Sequence, residues 1–430
     1  MEQATTAAAW ATDGRSSAVG QRSMGDPTRL FPLFPPLLEG CPATSTAAMQ
    51  YPLEIDYEYG RVPAALLRQP PLPGLERWAP LLPPVQPGLS LGEGGTPLVA
   101  AARIGEWVGL DGPLWLKDES RNPTWSHKDR LNYCVVSAAL ATGTPGIAVA
   151  SSGNHGVAAA AYAARAGLPC LVITSPTAQP AFRQFLVALG AFVAIVPTEQ
   201  RWDLLRRAVA ETGFMPATNL TRFPTGNPFG PEGYKTIAYE IFAQLGGAMP
   251  GTVVAPTGYG ELLYGVAKGF RELLRFGLGT HMPRMCSAEP AVRGPLAQAL
   301  RRNEAAVEVA GAPSRAAGIA VTVNGFRGVV AVRDSGGSAL LFEEASMVEA
   351  TERLAREGLW QEYSGAAGLA ALREARRRGD SFPAPVVAIL TSTGLKELPA
   401  DTADVPCYEG AALDRLLVSL AAGKGREAGA

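Results

Sequence analysis

Three short apolar runs, Gly146-Ile-Ala-Val-Ala150, Thr252-Val-Val-Ala255 and Val386-Val-Ala-Ile-Leu390, each empty into a loop built of glycine, serine and threonine. Apolar runs of this length, without polar alternation, read as strands covered on both faces. Further strands are expected at Leu114–Glu119, Leu171–Thr174 and Phe192–Val196, and helices over Leu131–Leu140, Val157–Arg165, about 181–189, Ile237–Leu245 and Glu261–Phe276. Strands alternating with helices give an α/β protein with a parallel sheet. Ligands of such sheets bind beyond the carboxyl ends of the strands, so the three loops are expected to share one crevice.

A fourth segment belongs with them. Asn122-Pro-Thr-Trp-Ser-His-Lys-Asp-Arg130 joins the strand from Leu114 to the helix from Leu131. Asn122-Pro-Thr is turn chemistry, and Ser126 is positioned to cap the helix. Lys128 then lies in the first helical turn, where a cation opposes the dipole. Either its stem follows the surface and its ammonium stays in water, or it is held as a Schiff base with an aldehyde cofactor.

The loops themselves favour anions. Ser151-Ser-Gly-Asn-His-Gly156 offers hydroxyls and N–H groups at a helix N-terminus, a nest for a carboxylate. Pro256-Thr-Gly-Tyr-Gly-Glu-Leu262 lets backbone approach a phosphate closely, yet its third glycine comes too late for a dinucleotide fingerprint. Val266 stands where a P-loop needs lysine. Glu261 within it is an unfriendly neighbour for a dianion. Thr391-Ser-Thr-Gly-Leu-Lys396 places hydroxyls where the last strand ends, suited to a heterocyclic nitrogen.

The 430 residues are 47 % apolar and 18 % charged, with net charge −1. That balance gives no electrostatic invitation to nucleic acid or an anionic membrane. Five scattered cysteines without a C-x-x-C pair indicate neither a disulfide framework nor a structural metal. A reducing, cytoplasmic location is expected, since no signal peptide or membrane-length apolar run is evident. Residues 1–45 read as a flexible extension, followed by a strand within 51–59. Pro63 to Pro87 reads as an extended arm across the surface, and the tail after Ala422 as frayed.

In order, these segments resemble the fold type II pyridoxal-phosphate enzymes, and among them threonine synthase. Asn122 to Arg130 is similar to that family's N-P-T-G-S-F-K-D-R. Gly92–Leu98, Ser151–Gly156, Asn227–Glu240, the 256–262 loop, Trp360–Leu369 and Thr391–Lys396 follow as they do there, over roughly residues 50–420. The resemblance implies a tryptophan synthase β-like fold with the cofactor between two three-layer domains. These would be a large domain of 46–128 and 229–422 and a small one of 129–228.

It also implies roles. Lys128 would hold pyridoxal phosphate and move protons at the substrate; Asn154 would meet the cofactor's phenolic oxygen. Thr257, Gly258, Tyr259, Gly260, Glu261 and Leu262 would line the phosphate site, and Thr391 would face the pyridine nitrogen. Ser151, Ser152 and His155 would surround the carboxylate of an amino-acid substrate. Lys235 and Arg130 are candidates for a substrate phosphate, no metal is implied, and a homodimer is a family expectation. The implied reaction is elimination or replacement at the β or γ carbon, as in O-phosphohomoserine to threonine. The alternatives are a β-replacement synthase, a hydroxyamino-acid dehydratase, an ammonia-lyase or a non-catalytic relative. Trp125, His127 and Thr393 depart from the family's Gly, Phe and His.

Overall fold

A computed structural model describes residues 16–397 and 410–421. Three sheets form it. Strands β1 (Ala18–Ser23), β2 (Leu30–Phe31) and β3 (Leu53–Tyr57) make an antiparallel sheet in the order β2-β1-β3. The six-stranded sheet uses β4 (Leu98–Ala100), β5 (Leu114–Asp118), β10 (Thr252–Pro256), β11 (Arg284–Pro290), β12 (Ala339–Phe342) and β13 (Val386–Leu390). Its order is β12-β11-β10-β13-β5-β4. All its pairs are parallel except β4 with β5. The four-stranded sheet, β8-β7-β6-β9, is wholly parallel and comprises β6 (Ile147–Ala150), β7 (Cys170–Thr174), β8 (Phe192–Ile195) and β9 (Met215–Pro216).

Helices α1 (Ala102–Val108), α2 (Lys128–Ala141), α3 (Asn154–Ala166), α4 (Pro180–Ala188) and α5 (Arg201–Thr212) come first in the chain. Next are α6 (Gly230–Gln244), α7 (Glu261–Arg275), α8 (Pro295–Arg302), α9 (Phe326–Asp334), α10 (Glu344–Arg356) and α11 (Tyr363–Arg377). A last helix, α12 (Ala411–Ala421), belongs to a separate unit of residues 397–430. Strands β6, β10 and β13 are buried along their length, as their unbroken apolar runs require. Among the described residues no helix is long and apolar enough to cross a membrane.

Several expectations need correction. Residues 16–45 are not a loose extension: β1 pairs with β3, and the Gln21 amide, itself buried, donates to the carbonyls of Pro32, Leu33 and Pro35. Residues 1–15 lie outside the described residues, as does the tail beyond Ala421. The proline-rich stretch does not run over the surface. It winds into short 3-10 turns at Ala64–Arg68 and Leu75–Leu81 and buries Leu67, Leu75, Trp78, Leu81 and Leu82. Prolines forbid long elements there but leave the apolar side chains free to fill the core. Helix α6 begins at Gly230, seven residues before the expected Ile237, because Pro231 at its first turn starts a helix rather than breaking one.

Ser126 does not cap α2. The helix starts at Lys128, His127 stands at the cap position, and the Ser126 hydroxyl is buried without a partner. Instead the segment is pinned from both sides. The Asp129 carboxylate accepts from Thr124 N at 2.9 Å and Thr124 Oγ1 at 2.8 Å; Asn122 Nδ2 donates to Glu119 O at 2.8 Å. Behind it, the buried Arg130 guanidinium reaches Glu119 at 2.7 Å and Glu240 at 2.6 Å, and Lys117 joins Glu240 at 2.6 Å. Burial alone would raise the Glu240 carboxyl, but Arg130 and Lys117 outweigh it and hold it well below the usual range. Gly233 of α6 meets this turn backbone to backbone, since a Cβ there would run into the Arg130 carbonyl oxygen.

Candidate active site

The strand ends bring the predicted loops together around Lys128. Residues 126 and 392 bridge, as do 361 and 393, so the segments before Lys128, after β13 and before α11 form one floor. His127 N and Nδ1 contact the Thr391 carbonyl oxygen, at 3.1 and 3.2 Å. The ring of His127 lies 5.4 Å from that of Tyr234, and Lys128 Nζ is 5.6 Å from the centre of the same phenol. Among the described residues Lys128 Nζ makes no hydrogen bond or ion pair. Burial lowers its pKa, an effect that Glu261 and Glu362 partly offset. A desolvated, unpartnered amine is the state a Schiff-base lysine needs.

The Ser151–Gly156 loop is placed as expected, with a difference in who does what. Ser151 Oγ turns back on its own loop, accepting from Gly153 N at 3.2 Å. Ser152 Oγ is occupied: it accepts from Ser175 N at 3.2 Å, Thr174 Oγ1 at 3.2 Å and Arg201 Nη1 at 3.0 Å. What the loop leaves open are backbone N–H groups: among the described residues those of Ser152, Asn154 and His155 have no partner. His155 Nε2 is buried without a hydrogen bond. Burial, and then the charge of Lys128, hold this imidazole well below its ordinary pKa, so it is neutral.

Asn154 is clamped. Its amide nitrogen donates to both oxygens of Glu362, at 3.0 and 2.9 Å, while its oxygen accepts from Lys396 Nζ at 2.6 Å and Ser392 Oγ at 3.1 Å. Glu362, buried, is raised by desolvation despite Lys396 and Asn154, and Lys396 is lowered, again by burial.

At the other side of the crevice, Gly260 takes φ +89°, and a Cβ on it would strike Gly328 Cα at 2.5 Å, so only glycine fits. The N–H groups of Gly258, Tyr259, Gly260, Glu261 and Leu262 have no hydrogen-bond partner among the described residues, and they open α7. Thr257 Oγ1 is turned back to Ala255 O at 2.8 Å. Glu261 is less hostile than its sequence position suggests, because its carboxylate lies 4.0 Å from Arg327 Nη1.

Two sequence candidates fall away. Arg130 is spent on Glu119 and Glu240, and Lys235 on Glu232 and Glu272 at 2.9 Å each; all are buried, so neither cation can reach a substrate phosphate. Four residues were not assigned a role by sequence reasoning. Tyr234, whose buried hydroxyl lacks a partner, Glu362 and Lys396 lie inside recognisable motifs, and the polarity of those motifs was their signal. Arg201 lies in no motif and becomes visible only when the chain is folded.

Pyridoxal phosphate fits this set. The unpartnered buried atoms Ser126 Oγ, His155 Nε2 and Tyr234 OH gather on the segments around Lys128, and a row of free N–H groups stands at the start of α7. Orphaned polar groups in a native interior call for a ligand.

Known proteins agree. The family described as pyridoxal-phosphate dependent enzyme matches residues 89–392. The threonine synthase of Methanosarcina acetivorans is 30 % identical over 371 residues, covering 84 % of this chain and 89 % of that one. That of Mycobacterium tuberculosis is 31 % identical over 353 residues, 81 % of this chain and 92 % of its own. Among solved structures, the T.th. threonine deaminase matches with a TM-score of 0.60 and 27 % identity, over 72 % of this chain and 94 % of that one. Fold, lysine and relatives converge: the chain is a threonine synthase-like lyase dependent on pyridoxal phosphate, with the type II fold, and belongs to the pyridoxal-phosphate dependent enzyme family.

Proposed function

We propose that the enzyme converts O-phosphohomoserine to threonine and phosphate. The observation that carries this reading is Lys128, a half-buried amine with lowered pKa and no hydrogen-bond or ion-pair partner among the described residues, set among unpartnered polar groups in a chain similar to threonine synthases along most of its length.

Bound pyridoxal phosphate supplies an electron sink that acidifies the bonds at the substrate's α carbon. Lys128 would hold the cofactor and, as an amine whose pKa burial depresses, would take and return protons at the substrate. The N–H groups of Gly258 to Leu262 would hold the cofactor's phosphate, Thr391 would serve its ring nitrogen, and Asn154, positioned by Glu362 and Lys396, its phenolic oxygen. The substrate carboxylate lies on the N–H groups of Ser152, Asn154 and His155, beside Ser151. His155, held neutral, donates or accepts without adding charge. The crevice lies between the part of the chain built on the six-stranded sheet and the part built on the four-stranded sheet, whose closure excludes water. A cytoplasmic homodimer is the working assembly.

A second reading, a dehydratase or ammonia-lyase on a shorter amino acid, is favoured by Trp125. Three residues before Lys128, Trp125 is 44 % exposed and meets Phe185 of α4 edge-on at 5.2 Å, adding bulk where the family has glycine. Absorption spectra of the holoenzyme with O-phosphohomoserine, L-threonine and L-serine separate the two. Release of phosphate and threonine supports the first reading; keto-acid and ammonia from the hydroxyamino acids alone supports the second.

A further inference from the structure

Arg201 opens α5 and is only partly exposed. It is on the wrong end of that helix for a cation, since the first turn favours negative charge. Among the described residues no carboxylate lies within ion-pair distance of it. Its contacts are Nε to Thr198 O at 3.3 Å and Nη1 to Ser152 Oγ at 3.0 Å, both neutral acceptors. A guanidinium has five N–H donors in a fork, and a half-covered one without a counter-ion is costly unless something anionic is meant to meet it.

Four other basic groups of this region are already satisfied. Arg130 and Lys235 are neutralised by pairs of buried carboxylates, Lys396 is held by Asn154 and Thr124, and Arg327 lies beside Glu261. Arg201 alone among these brings unspent charge to the loop that follows β6. Ser152 explains how it is aimed: with its oxygen already taking bonds from Thr174 and Ser175, the hydroxyl acts as a fixed neutral post for the guanidinium rather than as a ligand of the substrate. The bond of Arg201 Nη1 to Ser152 Oγ sets the guanidinium on the loop whose N–H groups at Ser152, Asn154 and His155 are without partners among the described residues.

We propose that Arg201, oriented by Ser152, forms a subsite for a second anionic group of the amino-acid substrate, a phosphate ester or a carboxylate at the end of its side chain. This deepens the function proposed above and rests on that reading for the location of the substrate's own carboxylate, on the N–H groups of residues 152–155. A planar fork suits either anion, both being able to accept two parallel N–H bonds.

The test titrates the holoenzyme, following the visible band of the bound cofactor, with O-phospho-L-homoserine, L-glutamate and L-serine, and with inorganic phosphate as competitor. Arg201→Met and Arg201→Lys are compared with the wild type. Arg201→Met is expected to weaken the doubly anionic ligand at least about tenfold, as loss of a charge-assisted hydrogen bond does, and to abolish competition by phosphate. L-Serine is expected to change less than about twofold, and Arg201→Lys to recover part of the loss. If the wild type answers to L-glutamate and not to the phosphate ester, with the same dependence on Arg201, the subsite stands and the O-phosphohomoserine reading fails. Equal weakening of all ligands, L-serine included, would show Arg201 acting on the common carboxylate or on the fold, and would overturn the proposal. So would binding of anionic ligands that is indifferent to both substitutions.

Discussion

The side-chain amide of Asn154 donates to both carboxylate oxygens of Glu362, at 3.0 and 2.9 Å, and its oxygen takes the ammonium of Lys396 at 2.6 Å. One amide thus separates a buried acid from a buried base, and fixes which way it faces the crevice. The arrangement makes Asn154 a rigid element, so the orientation it presents to a ligand is set before the ligand arrives.

Glu362→Ala removes the acid and leaves Lys396 buried with only neutral acceptors. A loss of about 3 kcal/mol is expected, less with Glu362→Gln, measured by urea denaturation of the cofactor-free protein. Lys396→Met in the same background is expected to restore part of it; additive losses in the double variant would mean that the acid and the base do not communicate through Asn154.

Lys128→Ala is expected to lose the visible band of the lysine-linked cofactor and to lower turnover by roughly a thousandfold or more. The cofactor-free protein should be no less stable than the wild type, since the deleted amine is half-buried, without a hydrogen bond or ion pair among the described residues, and at the positive end of α2. A cofactor band that survives the substitution would place the covalent link elsewhere.

Trp125 has φ +61°, the left-handed region that a bulky side chain avoids. Comparing Trp125→Gly with Trp125→Ala isolates that strain, because both lose the contact with Phe185. The glycine variant is expected to be more stable by about 1 kcal/mol in chemical denaturation. No difference between them would mean that the backbone relaxes once the indole is gone.

Arg130→Met leaves Glu119 without an ion-pair partner and Glu240 with Lys117 alone, and is expected to cost about 3–5 kcal/mol. Arg206→Ala, which breaks an exposed pair with Asp203, is expected to change stability by less than about 0.5 kcal/mol. Thermal unfolding of the two variants gives the contrast directly.

The pH dependence follows from the imidazoles. Burial first, then Lys128, holds His127 and His155 well below their ordinary pKa in the folded chain. The unfolded chain therefore binds protons first on acidification, near the ordinary value of about 6.5. Stability from this source is complete above that value and falls as pH drops below it. The stability gap between His155→Asn and the wild type is expected to shift steadily in favour of the variant between about pH 7 and pH 5; a constant gap would show His155 titrating alike in both states.

Much of the site was legible because its chemistry is local. Lys128, the Ser151–Gly156 loop and the glycine loop each carry their own turn and helix-start signals, and the apolar runs before them identified buried strands. Arg130 and Lys235 show where that reading stops. Each is a cation within a motif, indistinguishable in sequence from a ligand for phosphate, and each is neutralised by acids such as Glu119, Glu240, Glu232 and Glu272 that only packing brings near.

The sequence by itself determined the alternation of strands and helices, the loops at the strand ends, and the lysine they surround, because period, turn chemistry and helix polarity act over a few residues. Tertiary structure decided which charges are spent and which remain. It paired Arg130 and Lys235 with carboxylates, clamped Asn154 between Glu362 and Lys396, and left Arg201 against Ser152 without a counter-ion among the described residues. Electrostatic partnership depends on distance and burial in space, and neither is written in the spacing of residues along the chain.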